Sequence, residues 1–552
     1  MSKNSLYTVP LGQQRALIHW RGAAKRVTGS MHLLEIIEHA EVTYWLIDAG
    51  THVDDEQLDW QNRLPKGVTA SMIKGIIITH PHGDHSFYTP RLYKLGFRGK
   101  VYMIDAACDL CVIGWMDCAR ILAANVLREH EQKLKAFRAR QATAAERRNP
   151  TATDDTSAKR NLVRTIRRTV GAQRMSERSL ANVVEPKPKE PLFTEDDARN
   201  ALALMEPLKY NTRYELDKNL AIELFDADHM LGSATVHAEI GRGASKRTVN
   251  FGGNIGRRPK PVPEAQYRVT ESTYGDRVHI KRDRLEALAQ ALNAAHVRAL
   301  KGVGTPRGAG AIVVPAFSME RTQVFLSDIR QLLSEGRIPK MEVVLDSPMA
   351  IRVTAVYRKY PQYLRQDWQD LLAQGIDPFT PTGLVECVKY RKELFEPLAR
   401  PTLIVTASGM VNAGRAPYHV EARGNDRNST FFLIGFQAPR TTGEALASIA
   451  SRRKENNPRS ERPETIRLFN KTLRINATIE HMSDYSGHGD SDNNVDWLAM
   501  GPTGGKRRPS AMQPTVFLEH GEELPIAALR HKIETKLRLK CVVPGPNEFF
   551  IL

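Results

Sequence analysis

Cysteine is scarce in this chain: five residues, Cys108, Cys111, Cys118, Cys387 and Cys541, in 552. An odd, sparse set in a chain long enough to bury a large core excludes a disulfide-stapled fold. No uninterrupted run of about 18 apolar residues is found, so the pattern predicts no membrane span. The first twenty residues show neither an apolar signal core nor a small-residue cleavage site, which together with the cysteines points to a reducing cytoplasm. Acidic residues are also in deficit, with 62 Asp and Glu against 79 Lys and Arg and a net charge of +17. That surplus suits a polyanionic partner such as nucleic acid, or simply a basic soluble protein. With 41% hydrophobic and 26% charged residues the composition is that of a globular chain of about three or four domains, neither fibrous nor wholly disordered.

Short apolar runs with β-branched residues recur between helical stretches, the pattern of a layered α/β architecture. Segments 22–36, 43–50, 75–80 and 100–106 read as strands and turns of one unit. A second α/β unit follows a helix over 284–301, with strands at 311–316, 341–347, 402–409 and 431–436. Residues of about 119–185 stand apart: basic helical pattern, a Pro/Thr/Asp/Ser-rich centre near 149–161 and a proline-broken end at 186–191. They read as a basic insertion, either a solvated surface excursion or a site for RNA or a protein partner, though short of the aromatics a stacking platform needs.

The chemistry concentrates in Thr79-His80-Pro81-His82-Gly83-Asp84-His85, directly after a buried strand. Side chains at i and i+2 of an extended stretch point to one side, so His80 and His82 can share one ion. Asp84 and His85 fall at the turn beyond and can serve a second. Imidazole and carboxylate together suit zinc or another first-row metal. The pair Cys108/Cys111, in an apolar helical stretch with no second such pair, reads as buried core. His419, beside the turn at Arg415, is the one further histidine to watch.

The 79–85 segment resembles the metal motif of the metallo-β-lactamase fold, and further stretches resemble its β-CASP branch, the nucleases of RNA and DNA processing. These stretches are 22–36 followed by Leu46–Gly50, FDADHMLGSA with His229, FGGNIGR with Asn254, ESTYGDR with Glu271, SGHGD with His488 and FLEHGEE with His520. PAFSMERTQ (315–323), VLDSPMA (344–350) and TASGMVNAGR (406–415) mark the β-CASP part. The likeness covers the chain except about 140–185. It is greatest to bacterial and archaeal homologues of the endonuclease subunit of the pre-mRNA 3′-end cleavage factor, and less to ribonuclease J.

The resemblance implies an αββα metallo-β-lactamase sandwich with an inserted β-CASP α/β domain. Residues 1–280 form its first part, 281–470 the β-CASP domain and 471–552 the C-terminal part, with the active site in the cleft between. It implies two zinc ions, with a single ion or manganese as alternatives. His80, His82 and His229 would hold one and Asp84, His85 and His520 the other. Asp48 would hydrogen-bond a ligand imidazole from behind. His488, oriented by Glu271, would protonate the leaving oxygen or bind the scissile phosphate. Ser318 and Arg321, at a helix start, and Ser408, Gly409 and Arg415, in a Gly turn, would grip the nucleic-acid backbone.

One position departs from the family. Its fourth motif supplies a bridging aspartate, and here Asn254 stands there. An amide offers one neutral oxygen and does not neutralise a pair of cations. A naturally modified enzyme, a silenced homologue and a substitution that blocks turnover all remain open. A histidine at the position of His520 marks RNA-processing members, so single-stranded RNA is expected over DNA, cut endonucleolytically or from the 5′ end. The alternatives are a silenced protein that binds RNA or a protein partner, and hydrolysis of a small ester or lactam, which the β-CASP motifs and the charge oppose. A homodimer is compatible with this reading.

Overall fold

The computed structural model describes residues 14–39, 41–52, 55–148, 186–435, 437–438, 440–454, 464–505 and 513–552. Most of the basic insertion, 149–185, lies outside the described residues. Two seven-stranded sheets and one six-stranded sheet carry the molecule. The first sheet runs in the order Phe549–Ile551, Gln14–Trp20, His32–Glu38, Glu41–Ile47, Ile73–Ile77, Lys100–Ile104, Met205–Leu208. Its early strands pair antiparallel and its later ones parallel. The second runs Cys541–Val542, Thr515–Glu519, Tyr267–Glu271, Arg247–Phe251, Ala234–Ile240, Leu220–Asp226, Arg213–Asp217.

These two sheets face each other across an apolar core. Trp20 of the first lies 4.8 Å from Phe517 of the second, ring centre to ring centre, and His32 lies 5.7 Å from Phe251. The strand sequence His32-Leu-Leu-Glu-Ile-Ile-Glu38 is buried on both faces up to its last residue, because helices cover the outside as well. On the second sheet those helices are Ser491–Ala499 and Glu523–Lys536, which close a satellite core of Trp497, Leu518, Leu529 and Ile533. The result is the four-layer α/β sandwich that the resemblance implies.

The six-stranded sheet, in the order Leu384–Glu386, Glu342–Asp346, Thr402–Thr406, Ala311–Pro315, Thr430–Leu433, Thr478–His481, is parallel throughout. Its strands (AIVVP, EVVLD, TLIVT, TFFL) are almost wholly buried, as a parallel sheet under crossover helices must be. Successive side chains alternate between two cores: Val313, Ile404 and Phe431 to one, Val314, Leu403 and Phe432 to the other. The edge strand Thr478–His481 extends this sheet past the 470 boundary drawn from sequence. The module is inserted between adjacent strands: Tyr267–Glu271 precedes it, Thr515–Glu519 follows it, and the two pair in register with Glu271 opposite Glu519.

Asp105–Arg148 is a single 44-residue helix. Against the expectation of no membrane-crossing stretch, part of it is long and apolar enough to cross a membrane by length and composition. Asp117 and Arg120 interrupt the run, which hides it from a search for unbroken apolarity. Its apolar side is used in packing, with Ala106, Leu110, Cys111, Trp115 and Ala119 buried. Asp109 accepts from Lys359 at 2.6 Å and from the Tyr360 hydroxyl at 3.0 Å, tying this helix to the inserted module.

Candidate metal centre

The centre is assembled at strand ends and turns of the sandwich, where it meets the inserted module. After Ile73–Ile77 the chain leaves the sheet at Ile78. The Thr79 N–H donates to Asp48 Oδ1 at 2.8 Å, and the Thr79 hydroxyl reaches the same carboxylate at 3.0 Å. Asp48 follows its own strand at φ 61°, a left-handed conformation that Asp tolerates better than most residues. Its Oδ2 lies 2.7 Å from His85 Nδ1. That contact takes the Nδ1 proton and leaves Nε2 facing the centre.

His80 and His82 stand in the extended stretch; Gly83–Ser86 then forms one helical turn that swings Asp84 and His85 to the far side. Gly50 allows this packing, since a Cβ there would sit 1.7 Å from the Asp84 carbonyl oxygen. His229 arrives from the loop after Leu220–Asp226, and His520 from the end of Thr515–Glu519 at φ 48°. Two clusters result: His80, His82 and His229, and Asp84, His85 and His520. Within each, the potential ligand atoms all lie within 4.8 Å of one another. The His80 and His85 rings, 4.0 Å apart, place the clusters side by side.

The donors fit a pair of divalent cations. His85 Nε2 faces His520 Nε2 at 3.0 Å, and His229 Nε2 faces His82 Nδ1 at 3.3 Å. Lone pairs held so close need a cation or a proton between them. His229 Nδ1 and Asn254 Oδ1 are buried with no hydrogen-bond partner. Burial first, and then the neighbouring imidazoles, hold His80 and His229 well below the usual histidine range; burial and the nearby Arg321 hold His82 down at about 3. Neutral imidazole is the form that binds metal. Burial alone would raise the Asp84 carboxyl, but its hydrogen bond to His520 and the charges of His85 and His520 outweigh that and keep it ionised.

Asn254 follows Arg247–Phe251 through Gly252 and Gly253. Gly253, at φ 58°, turns the chain where a Cβ would meet Thr79 at 2.9 Å. The amide is buried, with Nδ2 3.3 Å from His80 Nε2. It therefore stands beside the first cluster with an uncommitted oxygen.

His488 closes the site. Its Nδ1 lies 2.7 Å from Glu271 Oε2, and Glu271 Oε1 accepts from the Ile255 N–H at 2.8 Å. Burial would raise the fully buried Glu271, yet the His488 charge and hydrogen bond outweigh it and hold the carboxyl below its ordinary range. The His488 ring is 4.7 Å from that of His229.

Above these groups opens a cavity of about 880 Å³, bounded by the sandwich, the inserted module and the 105–148 helix. Of the expected backbone-gripping residues, Arg321 and Ser408 line it. Arg321 is buried at the head of its helix, aimed at Gly487 beside His488. Ser318 and Gly409 do not reach the cavity wall; the carbonyl of each accepts from a glutamine side chain, Gln323 and Gln437. Arg415 is spent elsewhere, on Asp346 and on the carbonyls of Cys387, Val388 and Lys389. His419 also binds Asp346, at 2.8 Å, and stacks on Phe395 within the module. Cys111 is buried in the core as expected, while Cys108 is only partly buried against it. Sequence reasoning singled out neither Lys25 nor Arg26, which line the cavity, and reached Arg128, which also lines it, only as part of the basic stretch of about 119–185.

Two family models match the chain: the metallo-beta-lactamase superfamily over residues 36–96 and the Beta-Casp domain over 322–446. Ribonuclease TTHA0252 of Thermus thermophilus is 27% identical over 519 residues, 92% of this chain and 94% of that protein. Transcription termination factor FttA of Methanosarcina mazei is 24% identical over 538 residues, 94% of this chain and 69% of that protein. An RNase J-like protein of Methanocaldococcus jannaschii is 25% identical over 357 residues, 64% of this chain and 76% of its own length. Sandwich, inserted parallel sheet and ligand clusters agree with these matches: the chain carries a metallo-beta-lactamase superfamily segment and a Beta-Casp domain, and is similar over most of its length to proteins of the β-CASP kind.

Proposed function

We propose that this protein hydrolyses phosphodiester bonds in single-stranded RNA, in processing or decay, with a pair of zinc or manganese ions as cofactor. The observation that carries the reading is the convergence of two ligand clusters and the His488–Glu271 pair on one basic cavity. His80, His82 and His229 would hold one ion, Asp84, His85 and His520 the other, with Asn254 beside the first. Such ions supply Lewis-acid stabilisation of phosphoryl charge and an acidified water.

The chain's own groups do the rest. Asp48 and Thr79 hold the rings of His85 and His80 in one orientation. Arg321 offers a buried cation to a non-bridging phosphate oxygen. Glu271 fixes the His488 Nδ1 proton, so that Nε2 faces the cavity to bind the scissile phosphate or pass a proton to the leaving oxygen. The wall of Lys25, Arg26 and Arg128 would steer the polyanion toward these groups. Names of the relatives support RNA: one is a ribonuclease, another RNase J-like, a third a transcription termination factor.

Labelled single-stranded RNA incubated with the protein, with and without chelator, tests the reading. Chelator-sensitive cleavage supports it; none by the protein or by Asn254→Asp refutes it. Asn254 also favours a second reading, a silenced RNA-binding homologue. That one predicts RNA binding without turnover by the protein as it stands, and loss of binding when residues of about 140–185 are deleted.

A further inference from the structure

A short hairpin, Thr465–Leu468 and Lys471–Arg474, projects over the cavity. Its two-residue turn is Phe469-Asn470, at φ 50° and 61°. Positive φ at both positions is the turn that suits a right-twisted hairpin, and it ordinarily takes Asn and Gly. A phenylalanine in the first position is strained by its Cβ, so something other than turn formation holds it there. The ring is not buried to compensate: it is 41% exposed and lines the cavity. Across from it stands Tyr418, on the helix Ala416–Arg423, 43% exposed and lining the same cavity. The ring centres are 4.9 Å apart, 33° from parallel. An ion pair, Lys471 Nζ to Glu421 Oε1 at 2.6 Å, pins the hairpin to that helix. Ile466 and Leu468 are buried in the module's core. The platform is therefore held in place while both rings remain partly exposed to the cavity.

We infer that Phe469 and Tyr418 form a stacking subsite for an unpaired nucleobase of the strand whose phosphate reaches the metal centre. The inference rests on the proposed RNA substrate. Two flat rings beside a basic wall match the two faces of a single strand, its bases and its phosphates, whereas in a duplex the bases stay stacked on one another. The rings already touch, so a base would extend the stack on an outer face and not slide between them. Stacking is tolerant of sequence, so the subsite selects single strands over duplexes without selecting a base.

The test separates stacking from chemistry. A phosphorothioate oligouridylate 10-mer reports binding by fluorescence anisotropy. Bis(p-nitrophenyl) phosphate, which has no nucleobase, reports metal-dependent hydrolysis. Phe469→Asn relieves the left-handed strain and should leave the melting temperature equal or higher. It should nevertheless weaken binding of the 10-mer about 5- to 100-fold, with Tyr418→Ala acting in the same direction and Phe469→Trp keeping wild-type affinity. Hydrolysis of the base-free ester should stay unchanged in all three. Unchanged 10-mer affinity in both Phe469→Asn and Tyr418→Ala overturns the inference while leaving the proposed activity standing. Absence of ester and RNA hydrolysis in the wild type and in Asn254→Asp would instead overturn the activity, and the binding data would still decide the subsite.

Discussion

Replacing Asn254 by Asp puts an anionic oxygen where a buried amide now faces His80 Nε2 at 3.3 Å. Without metal, that carboxylate attracts a protonated His80 by about 5 kcal/mol at an effective dielectric constant of about 20. Removing the carboxylate from water costs a comparable several kcal/mol. His80, however, is held neutral at pH 7 by burial and the imidazoles around it. The attraction is then realised only after an unfavourable protonation, and the metal-free variant should be less stable by roughly 1–3 kcal/mol. A divalent cation doubles the Coulomb term with no proton to recruit, so the sign reverses when metal is bound. We expect zinc affinity to tighten by roughly 100-fold, about 2.8 kcal/mol. Calorimetric zinc titration gives the affinity, and thermal melts with and without chelator give both stabilities. The diagnostic is the crossing: the variant melts lower without metal and higher with it. Parallel melts and an unchanged zinc affinity would show that this side chain does not face the ions.

Glu271→Gln should keep the fold but release the His488 ring, lowering kcat on RNA by about 10²–10⁴-fold with little change in KM. His488→Ala should cost as much, and the double variant no more than the single. Single-turnover cleavage reads this, and independent, multiplying losses would refute the pairing. Asp48→Ala removes the acceptor for His85 Nδ1 and should weaken metal binding 10- to 100-fold by competition with a chromophoric chelator. Asp346→Asn strips the buried anion between Arg415 and His419 and should destabilise the protein by about 3–5 kcal/mol in denaturant unfolding. Burial would raise the Asp346 carboxyl, but His419 and Arg415 outweigh it and lower it. Its stabilisation is thus complete above the unfolded value near pH 4 and is lost as pH falls through the lower folded one. The variant's stability should therefore fall less than that of the wild type on acidification over that range.

Much of the fold could be read from local pattern. The β-branched runs at 311–316 and 402–409 are strands at Ala311–Pro315 and Thr402–Thr406, and the Ala/Leu-rich stretch at 284–301 is a helix at Arg284–Leu300. The 80–85 loop exposed its chemistry for the same reason, since i, i+2 and helical-turn geometry is set within a few bonds. Arg415 could not be judged that way. Its sequence setting, after a Gly turn and at a helix start, suits an anion, but the strand Glu342–Asp346 places Asp346 within reach and captures the guanidinium.

By itself the sequence determined the strand and helix segments, the ligand-bearing loop and the family motifs, because these are properties of neighbouring residues. That His229 and His520 complete the two clusters was legible only through family resemblance, and tertiary structure alone decided that Lys25 and Arg128 line one cavity and that Phe469 meets Tyr418. Such meetings depend on strand order and register over hundreds of residues, and a slip of one residue turns every side chain to the other face.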